Sequence, residues 1–155
     1  MKAFGIVFLL LALATGVAGP AAAQQAEHGT AAEAQDLVAR AIDLSEQLGT
    51  DVALAAFNAR DPRFVDRDLY IFVVGADGIV AAQAADPSRV GLDARELVDA
   101  AGNPFGAWIV ERATPEGVWI DYVRNDPVTG VDEPKSSWVV RHGDYIYGCG
   151  IYKTP

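Results

Sequence analysis

The chain reads as an α+β domain: a long N-terminal helix packed on a five-stranded antiparallel sheet, with a helical insert over the other face. Three observations predict it. An apolar stripe at helical spacing opens the domain, and two hairpin patterns with period-two alternation follow. Between the hairpins lies a polar connection with its own helix start. One helix layer against one sheet leaves the second sheet face free to hold a pocket under the insert.

Met1-Lys2, the apolar run from Ala3 to Val17 and Ala21-Ala22-Ala23 have the parts of a secretory signal, residues 1–23, cleaved before Gln24. The run is shorter than the ~20 apolar residues a spanning helix needs, so a retained anchor is the lesser alternative. Residues 24–30 read as a short flexible leader, and 31–155 as one domain large enough for a real core. From Ala31, Leu37, Ala41, Leu44 and Leu48 fall on one stripe, widened by Val38 and Ile42. Gly49 breaks the helix, and Thr50 can cap a continuation that runs through Phe57.

Leu69 to Val74 and Ile79 to Gln83 flank Asp77-Gly78, a tight-turn pair. After Asp86-Pro87 comes a long connection with a short helical turn around Arg95 to Val98. Asn103 then caps a helix with Pro104 at its first position, ending near Arg112. The second hairpin joins Val118–Val123 to Ser136–Arg141 across a loop rich in turn residues. Tyr145 to Tyr152 is the last strand.

The net charge is −9, and losing Lys2 with the signal makes it more negative. Nucleic acid and anionic lipid repel such a domain, so neither is an expected partner, and no membrane insertion is expected after cleavage. Any site for an anion therefore needs a local cation. Cys149 is the only cysteine, which excludes an internal disulfide and a cysteine metal motif; between two glycines in a strand it reads as a buried small hydrophobe. No phosphate loop, zinc spacing or calcium loop is present, so no cofactor and no metal is expected.

An enzyme is not expected either. His28 in the leader and His142 in a turn read as solvated, and an extended strand separates Cys149 from His142. Asp66, Asp68 and Asp121 read as strand-entry polarity and cross-strand pairing.

The stretch from Val118 to Trp138 carries the chemistry. Lys135, one of three lysines against nine arginines, follows Pro134 into a strand beside Trp119, Tyr122 and Trp138. A cation beside aromatic walls suits a small anion with a short apolar tail. A solvated lysine next to core aromatics is the plainer alternative. Alternation turns Leu69, Ile71 and Val73 towards the helix and leaves Tyr70 and Phe72 for the pocket. Trp119 and Tyr122 differ in parity, so both face the pocket only across a bulge. Trp108 on the insert helix is a lid candidate, and Arg124 is a rival cation.

The segments DLYIFVVGADGIV, DPSRVG, AGNPFG, WIDY, DPVTGVDEPKSSWV and YGCGIY occur in this order over essentially the whole chain after the signal. Together they resemble the single-Cache family, type 2. The resemblance implies an extracytoplasmic, PAS-like sensor fold whose pocket often takes small organic acids. The candidate ligand-binding residues are Lys135, Tyr70, Tyr122, Trp119, Trp108, Phe72, Gln83 and Arg124, and the expected ligand is a short-chain carboxylate or a similar small anion. Members usually sit between two transmembrane helices of a chemoreceptor or histidine kinase. This sequence shows no second such helix and no output domain, so a periplasmic or secreted protein signalling through a separate membrane-bound receptor or kinase is expected. Members commonly carry histidine where this chain has Gln83 and tryptophan where it has Arg124. The first change loses a group titrating near neutrality, and the second replaces an aromatic wall with a fixed cation. An accessory subunit that docks to a membrane receptor or kinase, its pocket vestigial, is the alternative.

Overall fold

The computed structural model describes residues 28–126 and 129–153. The signal segment, its cleavage site and the leader up to residue 27 lie outside the described residues.

Helix α1 (Ala31–Leu48) begins at a capping box. The Thr30 backbone N–H donates to Glu33 Oε2 at 2.7 Å, and Glu33 N–H donates back to Thr30 Oγ1 at 3.3 Å. Leu37, Val38, Ala41 and Leu44 are buried against the sheet, as the stripe predicts. Leu48 is not: it is 55% exposed. Ser45 takes the buried place beside Leu44, accepting from the Tyr147 hydroxyl at 3.0 Å and donating to the Ala41 carbonyl at 3.1 Å. Gly49, at φ 87°, ends α1 and is also the N-cap of α2 (Thr50–Asn58). Because that one residue caps both helices, Thr50 is the first helical residue and not the cap. Leaving only the capping hydroxyl out, Thr30→Ala is expected to cost about 1 kcal/mol in urea unfolding. The Thr30 backbone, ahead of the Arg67 guanidinium, pulls the Glu33 carboxyl down to about 2. Such a carboxyl stabilises the fold above its ordinary value and loses that contribution as pH falls towards 2. Thr30→Ala keeps the backbone N–H and loses the hydroxyl's own 2.9 Å bond to Glu33 Oε2, so the gap between parent and variant should narrow over that window by that bond's share.

The sheet has six antiparallel strands, one more than expected, because a short β1 (Val65–Asp66) adds to the edge of β2 (Leu69–Gly75). β3 (Val80–Gln83) pairs the same side of β2 after a tight turn at Gly78. The order then runs β2, β6 (Tyr145–Tyr152), β5 (Asp132–His142), β4 (Val118–Asn125). The second hairpin is longer than its sequence pattern, and Pro134 and Lys135 lie inside β5. Pro134 is tolerated because the β5–β6 ladder ends at Lys135 and Tyr152, so the missing N–H falls just past that end, while the Pro134 carbonyl still accepts from the Lys153 N–H at 2.9 Å.

Alternation along β2 sorts the two faces. Leu69, Ile71 and Val73 join the helix-side core, while Phe72 and Val74 join a second core under the insert. The insert contains two 3-10 turns, Pro87–Arg89 and Ala94–Glu96, and helix α3 (Phe105–Arg112). Pro104 is the N-cap of α3 and carries no side-chain cap. Asn103, expected as the cap, instead donates its side chain to Asp99 Oδ2 at 3.0 Å. Asp99 also receives the N–H groups of Ala101, Asn103 and Val123, tying the insert to β4.

His28 is the other correction. Its ring is not solvated: the side chain is 11% exposed, with Nδ1 3.4 Å from Asp68 Oδ2 and Nε2 3.5 Å from Asp126 Oδ2. Asp68 is likewise buried, its Oδ1 accepting from the Gly29 N–H at 2.6 Å. That bond pins the entry to α1 onto the end of the sheet.

Candidate ligand pocket

The sheet face away from α1 carries Tyr70 and Phe72 from β2, Tyr122 and Arg124 from β4, and Lys135 and Ser137 from β5. From β6 it takes Gly148, Gly150 and Tyr152, again at alternate positions. The two glycines make room for their neighbours: a side chain at Gly148 would overlap the Phe72 ring, and one at Gly150 the Lys135 stem. Lys135 therefore runs flat across Gly150.

Lys135 is 1% exposed. Its ammonium lies 4.6 Å from the Tyr70 ring centre and 4.2 Å from that of Tyr152, and donates to the Tyr70 hydroxyl at 3.3 Å. This overturns the reading of a solvated lysine at a loop end. No carboxylate lies within ion-pair distance of it among the described residues.

Two spaces adjoin this floor. The inner one, about 50 Å³, is roofed by Ala94, Leu97, Phe105 and Ile109 of the insert and walled by Phe72, Val74, Val80 and Tyr122. A water needs roughly 10–15 Å³ of such volume, so there is room for about three to five heavy atoms. The outer one, about 400 Å³, opens between β4 and the connection after β3. Tyr70, Gln83, Arg89 and Arg124 border both and form the neck. No carboxylate side chain lines the inner space among the described residues; two guanidiniums do.

Each expected site residue can now be placed. Tyr70, Phe72, Tyr122, Gln83 and Arg124 line the inner space, and Lys135 stands one hydrogen bond behind Tyr70. Tyr122 stacks on Phe105, ring centres 4.4 Å apart at 11°, and shares a 2.8 Å hydrogen bond with Ser137. Burial raises its phenol well above the ordinary value. Gln83 accepts from the Ala85 N–H at 3.3 Å.

Trp119 does not line the pocket. β4 pairs β5 without a bulge, so alternation turns Trp119 to the helix side, where it meets Trp138 at 5.4 Å. Trp108 is not the lid either. α3 turns Phe105, Gly106 and Ile109 inward, leaving Trp108 at the flank under the Arg112 guanidinium, 4.7 Å away. Phe105 holds the lid position.

Sequence reasoning also missed Arg89, paired with Asp86 at 3.2 Å, and Tyr152, whose hydroxyl donates to the Asn125 carbonyl at 2.6 Å. The parity of Gly148, Gly150 and Tyr152 was a usable signal for the second. Outside the pocket, Cys149 is buried on the helix side, and desolvation pushes its thiol up to about 12. Asp121 accepts from Ser136 at 2.6 Å and Lys153 at 2.8 Å, which is the cross-strand pairing expected of it. His142 lies 3.2 Å from Glu46 at the surface.

A helix-backed antiparallel sheet with a small roofed pocket on its free face is a layout suited to holding a small ligand. The chain belongs to the single Cache domain 2 family, whose model matches residues 20–152. No curated protein matches it. Among solved structures it is similar to a methyl-accepting chemotaxis protein from Vibrio parahaemolyticus RIMD 2210633. The two are 19% identical with a TM-score of 0.65, over 78% of this chain and 86% of that one. It is also similar to a periplasmic sensor domain of a chemotaxis protein, at 20% identity and TM-score 0.58, over 79% and 90% of the chains. A third, at 16% identity and TM-score 0.55 over 79% and 88%, is a Cache chemosensory domain described for carboxylic acid recognition. Cache domains are sensor domains, and the fold is theirs. Among the described residues no helix is long and apolar enough to cross a membrane.

Proposed function

We propose that this chain is a periplasmic binding module for a short-chain carboxylate, exported by a signal cleaved after Ala23 and signalling through a separate membrane receptor or histidine kinase. The observation that carries the reading is the Lys135 ammonium, buried between two tyrosine rings and bonded to the hydroxyl that lines the inner space. In accepting from Lys135, the Tyr70 oxygen leaves its own O–H free to donate to an anion, and the cation behind strengthens that donation. The Gln83 amide borders the same end. Phe72, Tyr122, Phe105 and Ile109 offer apolar surface for a tail of a few carbons, in keeping with the volume.

Isothermal calorimetry and thermal unfolding with acetate, propionate, butyrate and succinate test the reading. A bound acid stabilises the native state by about 2.7 kcal/mol at a hundredfold excess over Kd. If none of these acids binds or raises the melting temperature, the carboxylate reading falls and the docking-subunit alternative takes its place.

A further inference from the structure

We propose that the ligand carries a second anionic group, held at the neck by Arg124, so that the site prefers short dicarboxylates to monocarboxylates of equal length. This rests on the carboxylate reading of the inner space and adds the chemical class of its occupant.

The argument begins with charge balance. Three cations surround the inner space: Arg89 and Arg124 in its wall, and Lys135 behind Tyr70. Arg89 is neutralised by Asp86 at 3.2 Å. Arg124 and Lys135 have no carboxylate within ion-pair distance among the described residues. Glu133, the cross-strand neighbour of Arg124, receives the Thr129 hydroxyl at 2.9 Å instead. Tyr70 and Arg124 both border the neck, so a dicarboxylate lying across it brings one anionic group to each, where a monocarboxylate supplies one.

Geometry places the second charge within reach. Arg124 follows Tyr122 by two residues on the same face of β4, and Lys135 is the partner of Tyr122 across the ladder. The two cations thus come from diagonal positions, whose backbones are roughly 7–8 Å apart. The Arg124 guanidinium lies over the Phe105 ring at 5.9 Å, on the lid, and borders both spaces. An anion at the mouth of the inner space therefore lies beside Arg124 as well as Tyr70.

Beyond the neck the sign reverses. The outer space is bordered by Asp86, Asp99 and Asp132. Asp86 is taken up by Arg89, whereas Asp99, held by Asn103 and backbone N–H groups, and Asp132 have no cation within ion-pair distance among the described residues, which leaves their charge at the rim. A second carboxylate is favoured at the neck and repelled further out. Chain length is therefore limited from outside.

Calorimetry on the full chain with succinate, butyrate and adipate tests this. Succinate is expected to bind at least about tenfold tighter than butyrate, and adipate more weakly than succinate. Arg124→Gln should collapse the succinate-to-butyrate ratio, and Arg124→Lys should restore part of it. Raising ionic strength should lower the ratio in the parent, a readout that needs no variant. Butyrate binding as tightly as succinate in the parent, or a ratio unmoved by Arg124→Gln, overturns the second-anion proposal and leaves the carboxylate reading standing. If acetate or propionate binds and none of these three does, the second-anion proposal alone falls; binding of none of the five acids overturns both.

Discussion

Replacing Lys135 with methionine is expected to weaken short-carboxylate binding about 100-fold while leaving the domain at least as stable as the parent. A unit charge about 6 Å from an anion, at an effective dielectric of about 20, contributes roughly 2.8 kcal/mol, which is that factor. Methionine keeps an unbranched stem across Gly150 and removes the ammonium with its hydrogen bond to Tyr70. The stability side follows from burial. Lys135 is 1% exposed, so folding strips its ammonium of water, and among the described residues no carboxylate compensates. The two tyrosine rings return on the order of 1–2 kcal/mol, less than the several kcal/mol that desolvating an ion costs. Lys135→Ala is a different experiment. The sequence suggests a lysine that holds little core, whereas the structure makes it a core side chain, and truncation should cost about 2–5 kcal/mol through the cavity left. Calorimetry with acetate and propionate, beside urea unfolding, separates the cases. Parent-like affinity in Lys135→Met would remove the charge from the site, and a loss of several kcal/mol of stability would mean that the ammonium has an anionic partner.

The pocket floor is legible in the sequence, and the lid is not, for a physical reason. Which side chains of a strand share a face is a local property, so Tyr70 and Phe72 can be placed from spacing and from the aliphatic face opposite them, whereas for Trp119 and Tyr122 spacing says only that they lie on opposite faces. Keeping both in the pocket required a bulge that β4 lacks, and which of the two faces the pocket is decided by the pairing of β4 with β5. The inward face of α3 is decided by its packing on the 3-10 turn at Ala94–Glu96, a contact between segments that no pattern within either reveals. Trp108 was the larger aromatic, yet Phe105 is the one turned inward. Pro134 looks like a strand break until β6 is known to end opposite Lys135. His28 reads as solvated because its partners, Asp68 and Asp126, come from loops far along the chain.

Gly106→Ala is the substitution expected to damage the domain most for the least added mass. Propensity argues the other way: alanine inside a helix is worth about 1 kcal/mol more than glycine. Packing outweighs it. A methyl at Gly106 would overlap the Ala94 carbonyl oxygen and crowd its carbon at 2.8 Å and Leu97 Cβ at 3.0 Å. The first two are backbone atoms, with no rotamer to move aside. The Gly106 N–H also donates to the Leu97 carbonyl at 3.3 Å, holding helix and turn together at that distance. Relief requires α3 to move as a unit away from the turn. Phe105 would then leave its stack on Tyr122, and the roof over the inner space would lift. Overpacking of this kind costs about 1–3 kcal/mol where side chains yield, and more where backbone must. A net loss of about 3 kcal/mol, a drop of roughly 10 °C in Tm, is expected after the helix gain is subtracted. Short acids should lose affinity in the same variant, since the wall they would pack against has moved. Thermal unfolding decides between the two effects: an alanine variant about 1 kcal/mol more stable than the parent would mean that helix propensity governs and that α3 stands clear of Ala94.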